Sequence, residues 1–79
     1  MTAPFNADVE WTDRALATWR ALPFDTAKVV AEAVHAFAKT GVGNVIPNGP
    51  HEYILFAGGL EIALLFSDDV LYVDALRRV

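Results

Sequence analysis

The residues able to do chemistry in this chain fall in two places. His51 and Glu52 are adjacent, and an imidazole beside a carboxylate can serve as an acid and base or hold a metal ion. Arg77 and Arg78 follow one another just before Val79, and a pair of guanidinium groups can contact phosphate or an acidic partner. We therefore take Arg77, Arg78 and His51 as the candidate catalytic residues.

These residue types also have a structural interpretation. Adjacent residues of a strand point to opposite faces, so His51 and Glu52 need not act together. The two arginines can equally form a solvated end of the chain. Asp8 and Glu10 share one side of an alternating segment, where carboxylates discourage edge-to-edge pairing of sheets. We expect no cofactor and no bound metal, and keep a small metal-dependent hydrolase built on His51 as an alternative.

The composition limits what kind of protein this is. The chain has 79 residues and no cysteine, which predicts a single domain over residues 1–79 with a modest core and no disulfides. No apolar run approaches the roughly 18 residues that span a bilayer, and residues 1–8 lack the features of a signal peptide. We therefore expect a soluble, cytoplasmic protein without membrane contact. Its net charge of −4 argues against a broad nucleic-acid-binding surface.

The C-terminal third predicts an antiparallel meander. Its three apolar runs are residues 53–56, 60–66 and 70–76. The spacers between them are short enough only for hairpin turns, because a parallel return needs a crossover of about a dozen residues. Residues 6–11 alternate polar and apolar side chains, which predicts an edge strand. Two predicted helices separate that strand from the meander, so it must pair along an edge of the meander.

The middle of the chain predicts these two helices. Thr12 can cap the first helix, which Pro23 ends, and Asp25 or Thr26 can cap the second. Residues 42–51 are rich in turn-forming residues and predict a long loop. The predicted fold is α+β with the order β-α-α-β-β-β. Both helices pack on one face of a mostly antiparallel, four-stranded sheet.

Both faces of the predicted meander are apolar. In the run of residues 60–66, only Glu61 interrupts the side that carries Ala63 and Leu65. A sheet with one wet face normally alternates apolar and polar side chains, so the second face predicts contact with another protein. The candidate partner-binding residues are Leu60, Ile62, Ala63, Leu65, Leu71 and Val73.

Several local motifs follow one another in a definite order along the chain. They are a strand ending Val9-Glu10-Trp11, a helix opening at Thr12-Asp13, a Leu22-Pro23 break, the turns Gly58-Gly59 and Asp68-Asp69, and a last strand ending in Arg77-Arg78. In this order they resemble the RelE/ParE toxin superfamily over residues 8–78. The resemblance implies a toxin of a type II toxin–antitoxin pair that a cognate antitoxin neutralises.

The resemblance also implies a target. RelE-like members are ribosome-dependent messenger ribonucleases and ParE-like members poison DNA gyrase, so the implied target is the ribosome with its mRNA, or gyrase. Arg77 or Arg78 corresponds to the terminal arginine of the family. RelE-like ribonucleases commonly carry a further arginine after the glycine turn, where this chain has Glu61. A carboxylate there repels the negative charge that develops on the oxygens of the phosphorane, which leaves enzymatic activity open.

A second hypothesis belongs to another functional class. The same fold can serve as a non-enzymatic interaction module, as a homodimer or within a complex, with ribonuclease activity lost. Both hypotheses predict association with another chain. Toxicity on expression alone separates them.

Overall fold

The computed structural model describes residues 6–79. Residues 1–5 lie outside the described residues, and so does that part of the prediction that residues 1–8 are not a signal peptide. In chain order the elements are β1 (Asp8–Trp11), α1 (Asp13–Arg20), α2 (Phe24–Thr40), β2 (Val45–Pro47), β3 (Glu52–Ala57), β4 (Leu60–Ser67) and β5 (Val70–Arg78). The α+β class and the two N-terminal helices agree with the sequence prediction.

The strands form one mixed sheet of five strands in the order β1-β5-β4-β3-β2. The pairs β2–β3, β3–β4 and β4–β5 are antiparallel, whereas β1 runs parallel to β5. The sheet therefore has five strands and not the predicted four, and one of its four strand pairs is parallel. The parallel pair is possible because no hairpin joins β1 to β5: the chain between them passes through both helices and the meander. The first strand does pair along an edge of the meander, as predicted.

The additional strand, β2, lies inside the segment predicted to be a loop. It has three residues and pairs with β3 through Val45 and Leu55, Ile46 and Ile54, and Pro47 and Tyr53. Proline is tolerated here because β2 is an edge strand, where its missing N–H need not pair with a neighbour. Three residues are too few for a period of two to stand out from the surrounding turn residues.

Two tight hairpins connect the last three strands. Gly58 and Gly59 have φ of 61° and 78°, and Asp68 and Asp69 have φ of 51° and 65°. Positive φ at both central residues is the property of type I′ turns, whose twist matches that of the flanking strands. Both hairpins confirm the predicted meander.

The structure confirms the predicted cap of the first helix but differs from the prediction at the end of that helix and at the start of the second. Thr12 caps α1 as expected, since its hydroxyl accepts a hydrogen bond from the Ala15 N–H. However, α1 ends at Arg20, before Pro23. The residue preceding α2 is Pro23, which provides no side-chain cap, so the predicted caps Asp25 and Thr26 are wrong. Among residues 6–79 no helix combines the length and apolarity needed to cross a bilayer.

The core lies between the helices and one face of the sheet. From α2 it takes Val30, Val34 and Phe37, which share the predicted buried side of the helix. From the sheet it takes Leu55, Leu60, Ile62, Leu64, Leu71, Val73 and Leu76, all nearly inaccessible to solvent. The indole of Trp19 donates to the Ala27 carbonyl at 2.9 Å and so ties α1 to α2.

Candidate protein-binding face

The sheet has a second face, directed away from both helices, which we call the outer face. Strand register sets out its side chains in rows. The middle row consists of Ala75, Ala63, Ile54 and Ile46, which are paired from β5 to β2. One flanking row holds Arg77, Glu61 and Phe56; the other holds Glu10, Tyr72, Leu65 and Glu52. An uninterrupted apolar row therefore crosses four strands.

A β-bulge in β5 shapes this face. The register shifts between Ala63 and Leu64, which pair with Ala75 and Val73, so Asp74 is the extra residue. Val73 and Leu76 are consequently both buried although they are three positions apart. Without the bulge, Leu76 and Val73 would point to opposite faces, because side chains alternate along a strand. The bulge thus buries both core residues and leaves the small Ala75 on the outer face.

Two shallow depressions flank Ala63 on the outer face. The larger, about 190 Å³, is lined by residues that include Asn48, Glu52, Ala63, Leu65 and Asp74. The smaller, about 160 Å³, is lined by Ile54, Glu61, Ala63, Ala75 and Arg77. Leu65 is 40% exposed and Ile46 51% exposed, so large apolar side chains border the small alanines. The face therefore presents apolar projections beside two hollows, of which the smaller is mainly apolar and the larger is partly polar.

The predicted partner-binding residues divide between the two faces. Ala63 and Leu65 lie on the outer face, as a binding role requires. The remaining four point beneath the helices and are at most 3% exposed: Leu60, Ile62, Leu71 and Val73. Their assignment to partner binding is corrected, because the protein's own helices already cover them.

Sequence reasoning missed five residues of the outer face: Ile46, Ile54, Phe56, Tyr72 and Ala75. They follow from the strand register, which places Ile54 and Ala75 on either side of Ala63 and Tyr72 beside Leu65. A sequence signal for Tyr72 does exist, because Tyr72 alternates with Leu71 and Val73 along the last strand and so lies on the opposite face from them. Ala75 has no such signal, because the bulge at Asp74 interrupts the alternation between Val73 and Ala75.

The candidate catalytic residues are not brought together. Arg77 is paired with Glu61, whose Oε1 accepts from Nε at 3.1 Å and from Nη2 at 2.9 Å. Arg78 is exposed at the end of β5. His51 is exposed near the other end of the sheet, where its carbonyl accepts a hydrogen bond from the Phe66 N–H. At about 3.3 Å per residue, the levels of Phe66 and Glu61 on β4 are roughly 17 Å apart.

A second apolar surface lies on the helices. Trp19, Phe24, Ala27 and Ala31 line a groove of about 310 Å³, and Phe24 is 80% exposed. Lys28 and Glu32, whose side chains approach to 3.7 Å, also line this groove. In the part of the chain that the structure describes, no group of three His, Asp or Glu side chains is placed to hold a metal ion.

The outer face thus unites an apolar row, two hollows and a charged border. The RelE/ParE resemblance stays an expectation drawn from sequence motifs. The chain matches no protein-family model, and comparisons with curated proteins and with solved structures find no match either.

Proposed function

We propose that this chain acts by binding another protein through its outer face, without catalysing a reaction. The observation that carries the proposal is the apolar row of Ala75, Ala63, Ile54 and Ile46. It crosses four strands on a face that neither helix covers. A partner protein that covers this row removes its apolar surface from water, which is favourable by roughly 25 cal/mol per Å² of apolar area.

The border of this face supports the same function. Glu10 and Glu52 lie at one end of it, and the Arg77–Glu61 pair lies at the other. Protein interfaces commonly combine a buried apolar centre with a polar rim. Tyr72, 36% exposed beside Leu65, adds an aromatic side chain of the type that often dominates binding energy.

Binding is favoured over catalysis by the arrangement of the charged groups. The guanidinium of Arg77 is already engaged by a carboxylate, which offsets the positive charge that would stabilise a phosphoryl transition state. A general base must also lie within hydrogen-bond reach of the reacting group. His51 is roughly 17 Å away along the strand direction, by the strand rise of about 3.3 Å per residue, so it cannot serve the same reacting atom as Arg77.

Site-specific photo-crosslinking in the cells from which the gene derives tests this proposal. A photoreactive amino acid replaces Leu65 on the outer face, and Val42 serves as the matched control. Val42 is an apolar residue, 66% exposed, that lies outside the sheet. We expect a discrete protein adduct from position 65 and none from position 42. Equal labelling at both positions, or no adduct at position 65, would contradict the proposal.

A second candidate function is the toxin component that the resemblance implies, acting in the cytoplasm on the ribosome with its mRNA or on DNA gyrase. The observations that favour it are the pairing of β1 with the last strand and the basic end of that strand at Arg77 and Arg78. In this proposal a cognate antitoxin covers the outer face. The chain would then inhibit growth only when it is released.

Induction of the chain alone in a bacterial host tests the toxin function. Growth arrest, with rescue by the product of the adjacent reading frame, would support it. Arg77→Ala and Arg78→Ala should then relieve the arrest if the basic end contacts the target. Normal growth, while the chain accumulates in the soluble fraction, would exclude this function and leave the interaction module.

A further inference from the structure

We infer that Asn48 is a site of spontaneous covalent modification, where the backbone nitrogen of Gly49 attacks the side-chain amide of Asn48 and a carboxylate results. The site lies in the turn between β2 and β3, beside the larger hollow of the outer face. The inference goes beyond the proposed function, because the reaction needs water but no partner protein. Three observations support it: the residue that follows Asn48, the peptide group between the two residues, and the contrast with the other asparagines.

The reaction joins the side chain of Asn48 to the next backbone nitrogen. The Gly49 N–H gives its proton to a base in the solvent, and the nitrogen forms a bond to Cγ of Asn48. The bond from Cγ to Nδ2 then breaks, and the amide nitrogen leaves as ammonia after taking a proton from water. Water adds to either carbonyl carbon of the cyclic imide and opens the ring. The products are aspartate and isoaspartate, so the net change consumes water and releases ammonia.

The turn requires glycine directly after Asn48. Gly49 has φ of 151°, a backbone conformation that residues with a side chain rarely adopt. Glycine also leaves its backbone nitrogen open to attack, because it has no Cβ that could collide with the Asn48 side chain. The residue that permits this turn therefore also makes Asn48 reactive.

The peptide group between Asn48 and Gly49 is not held in place by hydrogen bonds. Within residues 6–79, the Asn48 carbonyl accepts no hydrogen bond and the Gly49 N–H donates none. The Gly49 carbonyl accepts from the Glu52 N–H at 3.4 Å, which is long for a bond of this kind. Both residues of the pair are exposed to solvent. The Asn48 side chain can therefore reach the Gly49 nitrogen without the loss of a strong hydrogen bond.

Asn6, one of the other two asparagines in the chain, lacks this freedom. The nitrogen that would attack its side chain is that of Ala7, and this N–H donates to the Ala38 carbonyl at 2.8 Å. The Asn6 N–H donates to the same carbonyl at 2.9 Å. Attack at Asn6 would break the Ala7 bond, so Asn6 should react slowly.

Asn44 precedes the same short strand that Asn48 follows, yet it also lacks the combination. The next residue is Val45, whose branched side chain crowds the attacking nitrogen. The Asn44 carbonyl accepts from the Phe56 N–H at 2.8 Å, which fixes the peptide group between Asn44 and Val45. Among the three asparagines, Asn48 should therefore react first.

The modification adds a negative charge to the outer face. Glu52 and Asp74 line the larger hollow together with Asn48, so a carboxylate at position 48 joins two others there. Covering an unpaired charge costs free energy, because the charge loses its contact with water. Modification should therefore weaken the binding of a partner protein. This consequence rests on the proposed function, whereas the reaction at Asn48 does not.

Peptide mapping by mass spectrometry tests the inference on the full chain incubated in mildly alkaline buffer. We expect position 48 to react at least about tenfold faster than positions 6 and 44, which corresponds to an activation barrier lower by about 1.4 kcal/mol. The products should include isoaspartate, which a protein isoaspartate methyltransferase labels with a methyl group. Alkali should raise the rate, because the Gly49 nitrogen attacks after it loses its proton.

Asn48→Gln is the matched control, because it keeps an amide but holds it a methylene group further from the Gly49 nitrogen. This variant should stay unlabelled while circular dichroism shows an unchanged fold. The wild-type chain unfolded in urea gives the rate without the native turn. If Asn48 reacts only in urea, the turn protects it and the inference is overturned. Equal rates at the three asparagines of the folded chain would overturn it as well.

Two charge variants test the consequence for binding. Asn48→Asp reproduces the aspartate product, and Ala36→Asp adds the same charge at an exposed position of α2. With the photoreactive amino acid at position 65, Asn48→Asp should lower the yield of the protein adduct, whereas Ala36→Asp should leave it unchanged. Equal yields from the two variants would show that the charge at position 48 does not affect binding.

The outcomes separate this inference from the proposed function. If position 65 crosslinks to a protein but Asn48 keeps its amide in the folded chain, the inference fails and the binding function stands. If position 65 gives no adduct but Asn48 is converted, the binding function fails and the modification site stands.

Discussion

The hydroxyl of Thr12 joins the start of α1 to the carbonyl of Asp74 in the bulge of β5. Its Oγ1 donates to the Asp74 carbonyl at 2.9 Å and accepts from the Ala15 N–H at 3.1 Å. The backbone N–H of Thr12 also donates to the Val73 carbonyl at 3.0 Å. The guanidinium of Arg14 contacts the Asp74 carboxylate at 3.1 Å. The turn into α1 and the bulge that shapes the outer face therefore support each other.

Thr12→Val should destabilise the protein by about 1–2 kcal/mol, because the substitution removes the helix cap and one partner of the bulge carbonyl. Urea unfolding followed by tryptophan fluorescence measures the change. The control is Thr18→Val, since the Thr18 hydroxyl bonds only to the Arg14 carbonyl within the same exposed helix. Equal losses for the two variants would show that the connection to Asp74 contributes nothing.

Ile62 and Leu65 lie three residues apart on β4 and point to opposite faces, so their truncation should have very different effects. Ile62 is fully buried, so Ile62→Ala should cost about 2–5 kcal/mol and leave little of the stability of so small a domain. Leu65→Ala in the isolated chain should change the free energy of unfolding by less than about 0.5 kcal/mol. Denaturant titration at low protein concentration compares them. A larger loss of stability for Leu65→Ala than for Ile62→Ala would mean that Leu65, and not Ile62, points into the core.

The contrast between these two residues shows how far the sequence alone determines the candidate site. Alternation along β4 correctly separates Ile62 from Ala63 and Leu65. It does not say which of two apolar faces the helices cover, because both sides of the strand look buried. Four core residues were consequently assigned to partner binding. Only the packing of α1 and α2 distinguishes the faces.

The fold was predictable where periodicity or turn chemistry was strong. The alternation ending at Trp11, the cap at Thr12 and the turn at Gly58-Gly59 all agree with the structure. The strand Val45–Pro47 was not predictable, since three residues with a terminal proline carry no periodic signal. The bulge at Asp74 depends on side chains about sixty positions away along the chain, as the Thr12 contact shows.

Gly58→Ala should be more destabilising than Gly59→Ala. Both glycines have positive φ, so an added Cβ costs about 1–2 kcal/mol at either position. At Gly58 the new Cβ would also lie 3.3 Å from Cγ2 of Thr26, whereas at Gly59 nothing lies within 4 Å. The difference between the two melting temperatures isolates the contact with α2. Identical values would show that Thr26 moves aside without cost.

Asp69→Gly should stabilise the protein. Asp69 has φ of 65° in a type I′ turn whose second central position favours glycine. Glycine adopts this left-handed conformation without the strain that a side chain causes, which should raise the free energy of unfolding by about 1 kcal/mol. The greater conformational freedom of glycine in the unfolded chain makes this gain smaller. The Asp69 carbonyl, which accepts from the Asp8 N–H at 3.3 Å, is retained. A net loss of stability on thermal unfolding would imply that the carboxylate itself has a partner.

The Arg77–Glu61 pair should contribute little to the stability of the isolated chain. It joins neighbouring strands at 2.9 Å, but the arginine side chain is 77% exposed, and such pairs are typically worth about 0.2–1 kcal/mol. A double-mutant cycle with Glu61→Ala and Arg77→Ala measures the coupling from denaturant unfolding. A small coupling free energy means that Arg77 can leave Glu61 and contact a group on a bound partner at low cost. A coupling well above 1 kcal/mol would instead hold Arg77 against β4 and remove it from the binding surface.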